Sequence, residues 1–157
     1  HTSRGLGDVY KRQDGVRLIS VVLGASDDET RSRESQRLLS YGFRYYDTQT
    51  LFKSGEIIES GLKVWYGKED FIDLTINDNA TITFPRGAKD NLKAKVSIND
   101  TLEAPISTGD ELGKLEIVLD DETLLSVPLI SVDEIQQGNI ITRLLDWLVL
   151  FFTNLLS

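Results

Sequence analysis

The sequence predicts a mainly-β fold, in which an antiparallel, β-sandwich-like domain is preceded by a strand and a helix and followed by a C-terminal amphipathic helix. Two observations predict this fold. Short β-branched runs recur at roughly ten-residue intervals through the centre of the chain, with turn residues between them. Residues 139–157 are apolar but keep their polar side chains on one helical stripe.

The first part of the chain predicts one strand and one helix. Residues 1–13 have no sustained periodicity, and we interpret them as a foreign leader or artefact outside the fold. The run VRLISVVLG over 16–24 has the composition of a buried strand. Ser26 and Glu29 have the spacing of a capping box at a helix start, and Gly42 is placed to end that helix.

The central part of the chain, residues 47–135, predicts the β domain. Asn-Asp, Pro-Arg-Gly and Asp-Asp sequences punctuate its apolar runs and favour turns. The segment Asp120–Glu122 predicts a hairpin with a short loop. The predicted strands are 62–67, 71–76, 80–84, 92–98, 113–119 and 123–130.

The tail, residues 136–157, predicts a membrane-anchor helix after a polar joint of two glutamines and a glycine. At about 100° per residue, its polar side chains occupy roughly a third of the helix circumference. The apolar face that remains is much wider than a small domain usually needs to dock one helix. The predicted anchor residues are Ile140, Ile141, Leu144, Leu145, Trp147, Leu148, Phe151, Phe152, Leu155 and Leu156.

Three placements of this helix are open at the level of sequence. It could be buried in the domain, although nothing else in the chain offers a matching groove. It could span a bilayer, because its length of about 28 Å approaches the hydrocarbon thickness of about 30 Å. The in-plane placement is favoured, because a helix in the interface uses a polar stripe along its whole length. A net charge of −8 repels anionic lipid, so attachment to the membrane surface must be hydrophobic.

Composition excludes several kinds of site. The chain has no cysteine, which removes disulfides, thiol catalysis and cysteine metal ligands. Its one histidine is His1, so a Ser-His-Asp triad and a histidine-rich zinc site are not expected. An acidic chain is a poor partner for nucleic acid. We predict no cofactor and no metal.

Four further features have an ordinary structural interpretation that is favoured over a binding site. Asn77–Asn79 lacks the spacing and glycine of a calcium loop and predicts a polar turn. Asp120–Glu122 is interpreted as a solvated acidic turn. Arg86 and Lys89 flank a glycine that could contact a partner, but an ordinary loop is favoured. Trp65 and Tyr66 are interpreted as core or interface aromatics.

Several segments carry a resemblance when they are taken in order. Together they resemble the C-terminal part of the low-molecular-mass penicillin-binding proteins, the serine-type D-alanyl-D-alanine carboxypeptidases of the bacterial envelope. The resemblance covers residue 14 to the end. The carrying segments are DGVRLISVVLGA (14–25), ESQRLLSYGFRYYDT (34–48), LTINDNATITFPRGAKDNLKAKVSIND (74–100), LEAPISTGDELGKLEIVLDDE (102–122) and the terminal helix.

The resemblance implies a role for each part. Residues 14–46 are the closing strand and helix, a remnant of an α/β transpeptidase-like catalytic domain, and the chain is expected to be truncated upstream of residue 14. The β domain holds the catalytic domain off the membrane. The whole protein would trim peptidoglycan pentapeptides through a serine acyl-enzyme, bind penicillin and serve cell-wall synthesis and cell shape. It would be peripheral on the periplasmic face of the inner membrane, and the β domain would have room for an envelope protein partner.

The family's catalytic motifs are expected upstream, so this chain by itself is predicted inactive, with no catalytic residue. Short copies of the motifs are interpreted as accidental, since Ser-x-x-Lys needs a helix and here precedes a strand-like run. The rival hypothesis is a stand-alone, membrane-tethered binding module of the envelope. The copies are Ser60 with Lys63, Ser97 with Asn99, Lys53–Gly55 and Ser107–Gly109.

Overall fold

The computed structural model describes residues 9–13 and 16–156, with side-chain placement for residues 17–153. The predicted mainly-β class is confirmed, with one long helix before most of the strands and one after them. The elements are β1 Val9–Gln13, β2 Val16–Ser20, α1 Asp28–Tyr45, β3 Tyr46–Phe52, β4 Ile57–Trp65, β5 Phe71–Thr75, β6 Ala80–Pro85, a 3-10 turn Lys89–Asn91, β7 Leu92–Ile98, β8 Leu102–Glu103, β9 Glu111–Leu119, β10 Glu122–Ser131 and α2 Ile140–Leu156.

The first of two compact units contains the described residues up to Gln49 together with Thr83–Asp90. In it β1 and β2 pair antiparallel, with Val9 opposite Ser20. The strand β1 falls within the segment interpreted as a foreign leader; that interpretation stays a prediction, and residues 1–8 lie outside the described part of the chain.

Helix α1 differs from its prediction at both ends. Its N-cap is Asp27, whose carboxylate accepts from the Thr30 amide at 2.7 Å, so the predicted Ser26 cap is one residue early. The predicted stop at Gly42 is wrong because the helix continues to Tyr45. Gly42 lies inside the helix, where an added Cβ would come 2.6 Å from the Leu18 side chain. This glycine serves close packing.

The predicted strand 16–24 is shorter than expected and is not buried. Strand β2 ends at Ser20, which is itself buried. Ile19, Val21 and Leu23 are each more than half exposed. The composition is that of a buried strand, but in this chain these side chains leave apolar surface open to solvent.

The cap of α1 makes the start of this helix sensitive to acid. Hydrogen bonds from the Ser26 hydroxyl and the Thr30 amide hold the pKa of Asp27 below its ordinary value. Since the folded pKa is lowered, the cap contributes in full above about pH 4 and is lost as pH falls through the folded pKa. We expect the Thr30 amide resonance to move toward its unfolded position as the pH falls through the folded pKa of Asp27. An Asp27→Asn variant should show no such titration at Thr30.

The second unit, Thr50–Ile82 with the residues from Asn91 onward, contains the main sheet. Its six strands lie in the order β7-β9-β10-β5-β4-β8. Neighbours are antiparallel except β4 and β8, which are parallel. Alternate residues of the central strands form the core, where Leu74, Leu115 and Leu129 are fully buried.

The six predicted central strands are all present, and two others were missed. The hairpin is confirmed, because Glu122 on β10 pairs with Leu119 on β9 across a loop of two residues. Asp120 takes a left-handed conformation there, with a φ of 52°, which aspartate tolerates. The missed strands are β8, which has only two residues, and β3, which pairs with β6 in a separate two-stranded sheet.

Candidate functional site

The polar joint before α2 is tied to the turn that follows β4. The amide of Gly138 donates to the Tyr66 carbonyl at 2.7 Å, and the Lys68 amide donates to the Gln136 carbonyl at 2.9 Å. Gly138 has no room for a side chain, because an added Cβ would lie 2.8 Å from the Gly67 carbonyl oxygen. The joint is thus a hydrogen-bonded connection that fixes where α2 begins.

Helix α2 starts from a well-formed cap. The Asn139 side chain accepts from the Thr142 amide at 2.9 Å and from the Thr142 hydroxyl at 3.1 Å. Asparagine at this position satisfies amides that have no partner inside the helix. The cap starts the helix immediately after the fixed joint.

One hydrogen bond attaches α2 to the β domain partway along its length. The Tyr66 amide donates to the Asp146 carboxylate at 2.7 Å, and Asp146 is half-buried. Tyr66 has a φ of 62°, a left-handed conformation that is uncommon for an aromatic residue. The half-buried positions Thr142, Asp146 and Leu150 recur every four residues along one stripe. The stripe that contains Asp146 therefore faces the β domain.

The opposite side of α2 is an exposed apolar face. Trp147 and Phe151 stack with ring centroids 5.6 Å apart, and Phe152 meets Phe151 edge-on. The side chains of Leu155 and Leu156 lie outside the described residues. The other predicted anchor residues are exposed to between 38% and 82%: Ile140, Ile141, Leu144, Leu145, Trp147, Leu148, Phe151 and Phe152.

Over residues 9–13 and 16–156, no helix combines the length and apolarity required to cross a bilayer.

The first copy of a catalytic motif lies in a strand. Ser60 and Lys63 are on β4, where the pairing with β5 shifts register. The Lys63 ammonium forms an ion pair with Asp70 at 2.5 Å and lies 5.4 Å from the centre of the Trp65 ring. The helical i,i+3 geometry that lets a lysine face a serine is not formed here.

The other copies stabilise turns and strands. The Ser54 hydroxyl donates to the Asn77 carbonyl at 2.6 Å, and its amide donates to the Asn79 side chain at 2.8 Å. Asn77–Asn79 is thus part of a polar turn, as predicted. The Ser107 amide donates to the Asp110 carboxylate at 2.8 Å. Ser97 lies on β7, opposite Lys114 on β9.

Arg86 has a structural role that the sequence did not indicate. Its guanidinium donates to the Asp47 carboxylate at 2.9 Å and to the Phe43 carbonyl at 3.2 Å. Its amide donates to the Tyr45 carbonyl at 2.8 Å. These bonds satisfy carbonyl groups at the C-terminal end of α1. Among the described residues, no group of acidic or histidine side chains is arranged to hold a metal ion.

Removing the Asp146 carboxylate should loosen α2 locally. In an Asp146→Ala variant the half-buried Tyr66 amide loses its acceptor, which costs about 1–3 kcal/mol. We expect faster hydrogen exchange at Tyr66 and at the first turns of α2, with the core amides of β9 unchanged. Asp146→Asn keeps an acceptor oxygen and should recover most of the protection. Equal exchange in parent and Asp146→Ala would contradict this role.

This chain is a mainly-β domain that ends in an attached amphipathic helix with an exposed apolar face. Residues 46–137 match the family model of the penicillin-binding protein 5 C-terminal domain, and the chain belongs to that family. It is a C-terminal domain of the type found in D-alanyl-D-alanine carboxypeptidases.

The similar proteins agree with this assignment. Over 155 residues the chain is 34% identical to D-alanyl-D-alanine carboxypeptidase DacA of Escherichia coli K12, covering 97% of this chain and 38% of that protein. It is 33% identical to DacC of the same organism, covering 89% of this chain and 35% of DacC. The crystal structure of penicillin-binding protein 5 from Haemophilus influenzae aligns with a TM-score of 0.75 at 28% identity, over 83% of this chain and 39% of that one.

Proposed function

We propose that this chain is the β domain and membrane anchor of a D-alanyl-D-alanine carboxypeptidase that trims peptidoglycan pentapeptides at the periplasmic face of the bacterial inner membrane. Family membership supports the carboxypeptidase part of the proposal. The chain spans slightly more than a third of the length of the curated relatives it matches, 35% of DacC and 38% of DacA. The activity of a whole protein is therefore proposed from those relatives.

The observation that carries the anchoring proposal is the exposed apolar face of α2. Eight of the predicted anchor residues have exposed side chains, although α2 is attached to the β domain through Asp146. Burying a large apolar side chain is worth about 1.5–3 kcal/mol, so even partial insertion of this face favours the lipid interface by several kcal/mol. With the stripe of Thr142, Asp146 and Leu150 on the β domain, the apolar face is turned away from that domain, as a helix in the plane of the membrane surface requires.

The β domain acts in this proposal as a spacer between the anchor and the catalytic centre. Its core is closed by apolar side chains from the central strands, and its polar turns are internally hydrogen bonded. Such a domain is a rigid support. The full-length enzyme would bind the peptidoglycan peptide, or an envelope protein, at the height above the membrane that the β domain sets.

The serine chemistry is assigned to residues outside this chain. The Ser-x-x-Lys copy supports this, because Lys63 lies on strand β4 and forms an ion pair with Asp70. We expect that the purified chain does not react with labelled penicillin. A version extended upstream with the native gene should be labelled at a single serine in the added part.

Each result of the penicillin experiment distinguishes between hypotheses. Labelling of the extended form alone supports the carboxypeptidase scaffold. If neither form is labelled, the stand-alone binding module replaces it. Labelling of the short chain means that one of its own serines is a nucleophile. A Ser60→Ala variant then tests whether that serine belongs to the Ser-x-x-Lys copy.

A further inference from the structure

The connection between the β domain and α2 borders an open cleft of about 540 Å³. One wall comes from the β domain, and the other comes from the joint and the first two turns of α2. All of the lining residues belong to the same compact unit. They are Tyr66, Glu103, Ala104, Gln137, Ile140, Arg143, Leu144 and Trp147.

The cleft contains one cation and one anion that do not neutralise each other. Arg143 and Glu103 both line it, and neither takes part in an ion pair within the described part of the chain. Asp146, one helical turn from Arg143, accepts instead from the Tyr66 amide. A positive and a negative group are thus available to one ligand.

The rest of the lining is suited to a membrane interface. Tyr66 and Trp147 are the two residue types enriched at the level of lipid headgroups. Ile140, Leu144 and Trp147 line the cleft and also belong to the exposed apolar face of α2, with exposures of 82%, 58% and 52%. When that face enters the lipid, the cleft opens at the depth of the headgroups.

We propose that this cleft binds the headgroup of a zwitterionic phospholipid. The Arg143 guanidinium donates to the phosphodiester, and the Glu103 carboxylate accepts from the ammonium, which also meets the aromatic rings. A purely anionic headgroup leaves Glu103 unpaired and approaches a chain with a net charge of −8. This inference rests on the proposed function, since the cleft meets lipid only when α2 lies on a membrane.

The experiment is flotation of the full chain with two kinds of vesicle, one of phosphatidylglycerol alone and one of phosphatidylglycerol mixed with phosphatidylethanolamine, at salt high enough to screen surface charge. We expect the parent to prefer the mixed vesicles. Glu103→Gln should lower that preference by about fivefold, because it loses the bond to the ammonium. Arg143→Gln should weaken binding to both kinds of vesicle, because both lipids carry the phosphodiester. Lys93→Gln and Glu122→Gln remove the same charges from exposed positions away from the cleft and should preserve the preference.

The two proposals fail in different ways in this experiment. Equal binding of the parent to both vesicles overturns the headgroup site and leaves the anchor in place. A preference that persists in Glu103→Gln, or binding that is unchanged in Arg143→Gln, also overturns the site. If the parent floats with neither vesicle, the anchoring proposal fails and the headgroup site fails with it.

Discussion

Replacing Trp147, Phe151 and Phe152 together by glutamine should strongly weaken the binding of this chain to membranes. Each ring inserted halfway contributes about 1 kcal/mol or more, so the triple variant is expected to bind vesicles roughly 100-fold more weakly. Glutamine is a good helix former, so α2 should remain intact. Vesicle flotation measures the binding, and circular dichroism checks the helix content.

A matched control exists in the first unit. Ile19, Val21 and Leu23 are also apolar and more than half exposed, but they lie on and after β2. Their triple glutamine variant should float like the parent. If this control loses binding as strongly as the α2 variant, general surface hydrophobicity drives the attachment and the assignment to α2 is wrong.

The second large effect is expected in the core of the β domain. Leu129 on β10 is fully buried, and its replacement by alanine leaves a cavity in the sheet. We expect the free energy of unfolding to fall by about 2–5 kcal/mol. Urea unfolding followed by circular dichroism measures this change.

Leu145→Ala provides the comparison in the same unit. Leu145 is 57% exposed on α2, so without lipid this variant should change the free energy of unfolding by about 0.5 kcal/mol or less. Similar losses for Leu129→Ala and Leu145→Ala would contradict the described core. The pair also separates folding from anchoring, because Leu145→Ala should weaken flotation while the fold stays intact.

Most strands of the β domain could be predicted because each is indicated by the short stretch of sequence that forms it. Strand β7 was predicted with its observed bounds, since apolar and polar residues alternate between turn sequences. The hairpin at Asp120 was predicted from two consecutive aspartates. Strand β3 was missed because its residues Thr48 and Thr50 are polar. They form hydrogen bonds to Thr83 and Thr81, partners more than thirty residues away in the sequence.

The candidate site could be predicted only in part. The apolar face of α2 followed from helical periodicity. Its attachment did not, because Tyr66 and Asp146 are 80 residues apart and no local pattern signals an amide donating to a distant carboxylate. The wrong helix end at Gly42 has the same origin, since the close approach of Leu18 is a tertiary contact. Helical periodicity predicts the apolar and polar faces of a helix, but it does not predict which tertiary contacts those faces make.

The most direct test of the anchor is the depth of Trp147 in a membrane. The chain has two tryptophans, so the measurement uses a Trp65→Phe background in which Trp147 is the sole emitter, with Trp147→Phe as the matched control. Vesicles carrying brominated lipids quench a tryptophan that lies near the bromine. If α2 lies in the membrane surface, Trp147 should show blue-shifted emission and the strongest quenching by bromine near the headgroups, with no quenching of Trp65. Unchanged emission and no quenching of Trp147 at any bromine depth would contradict anchoring by α2.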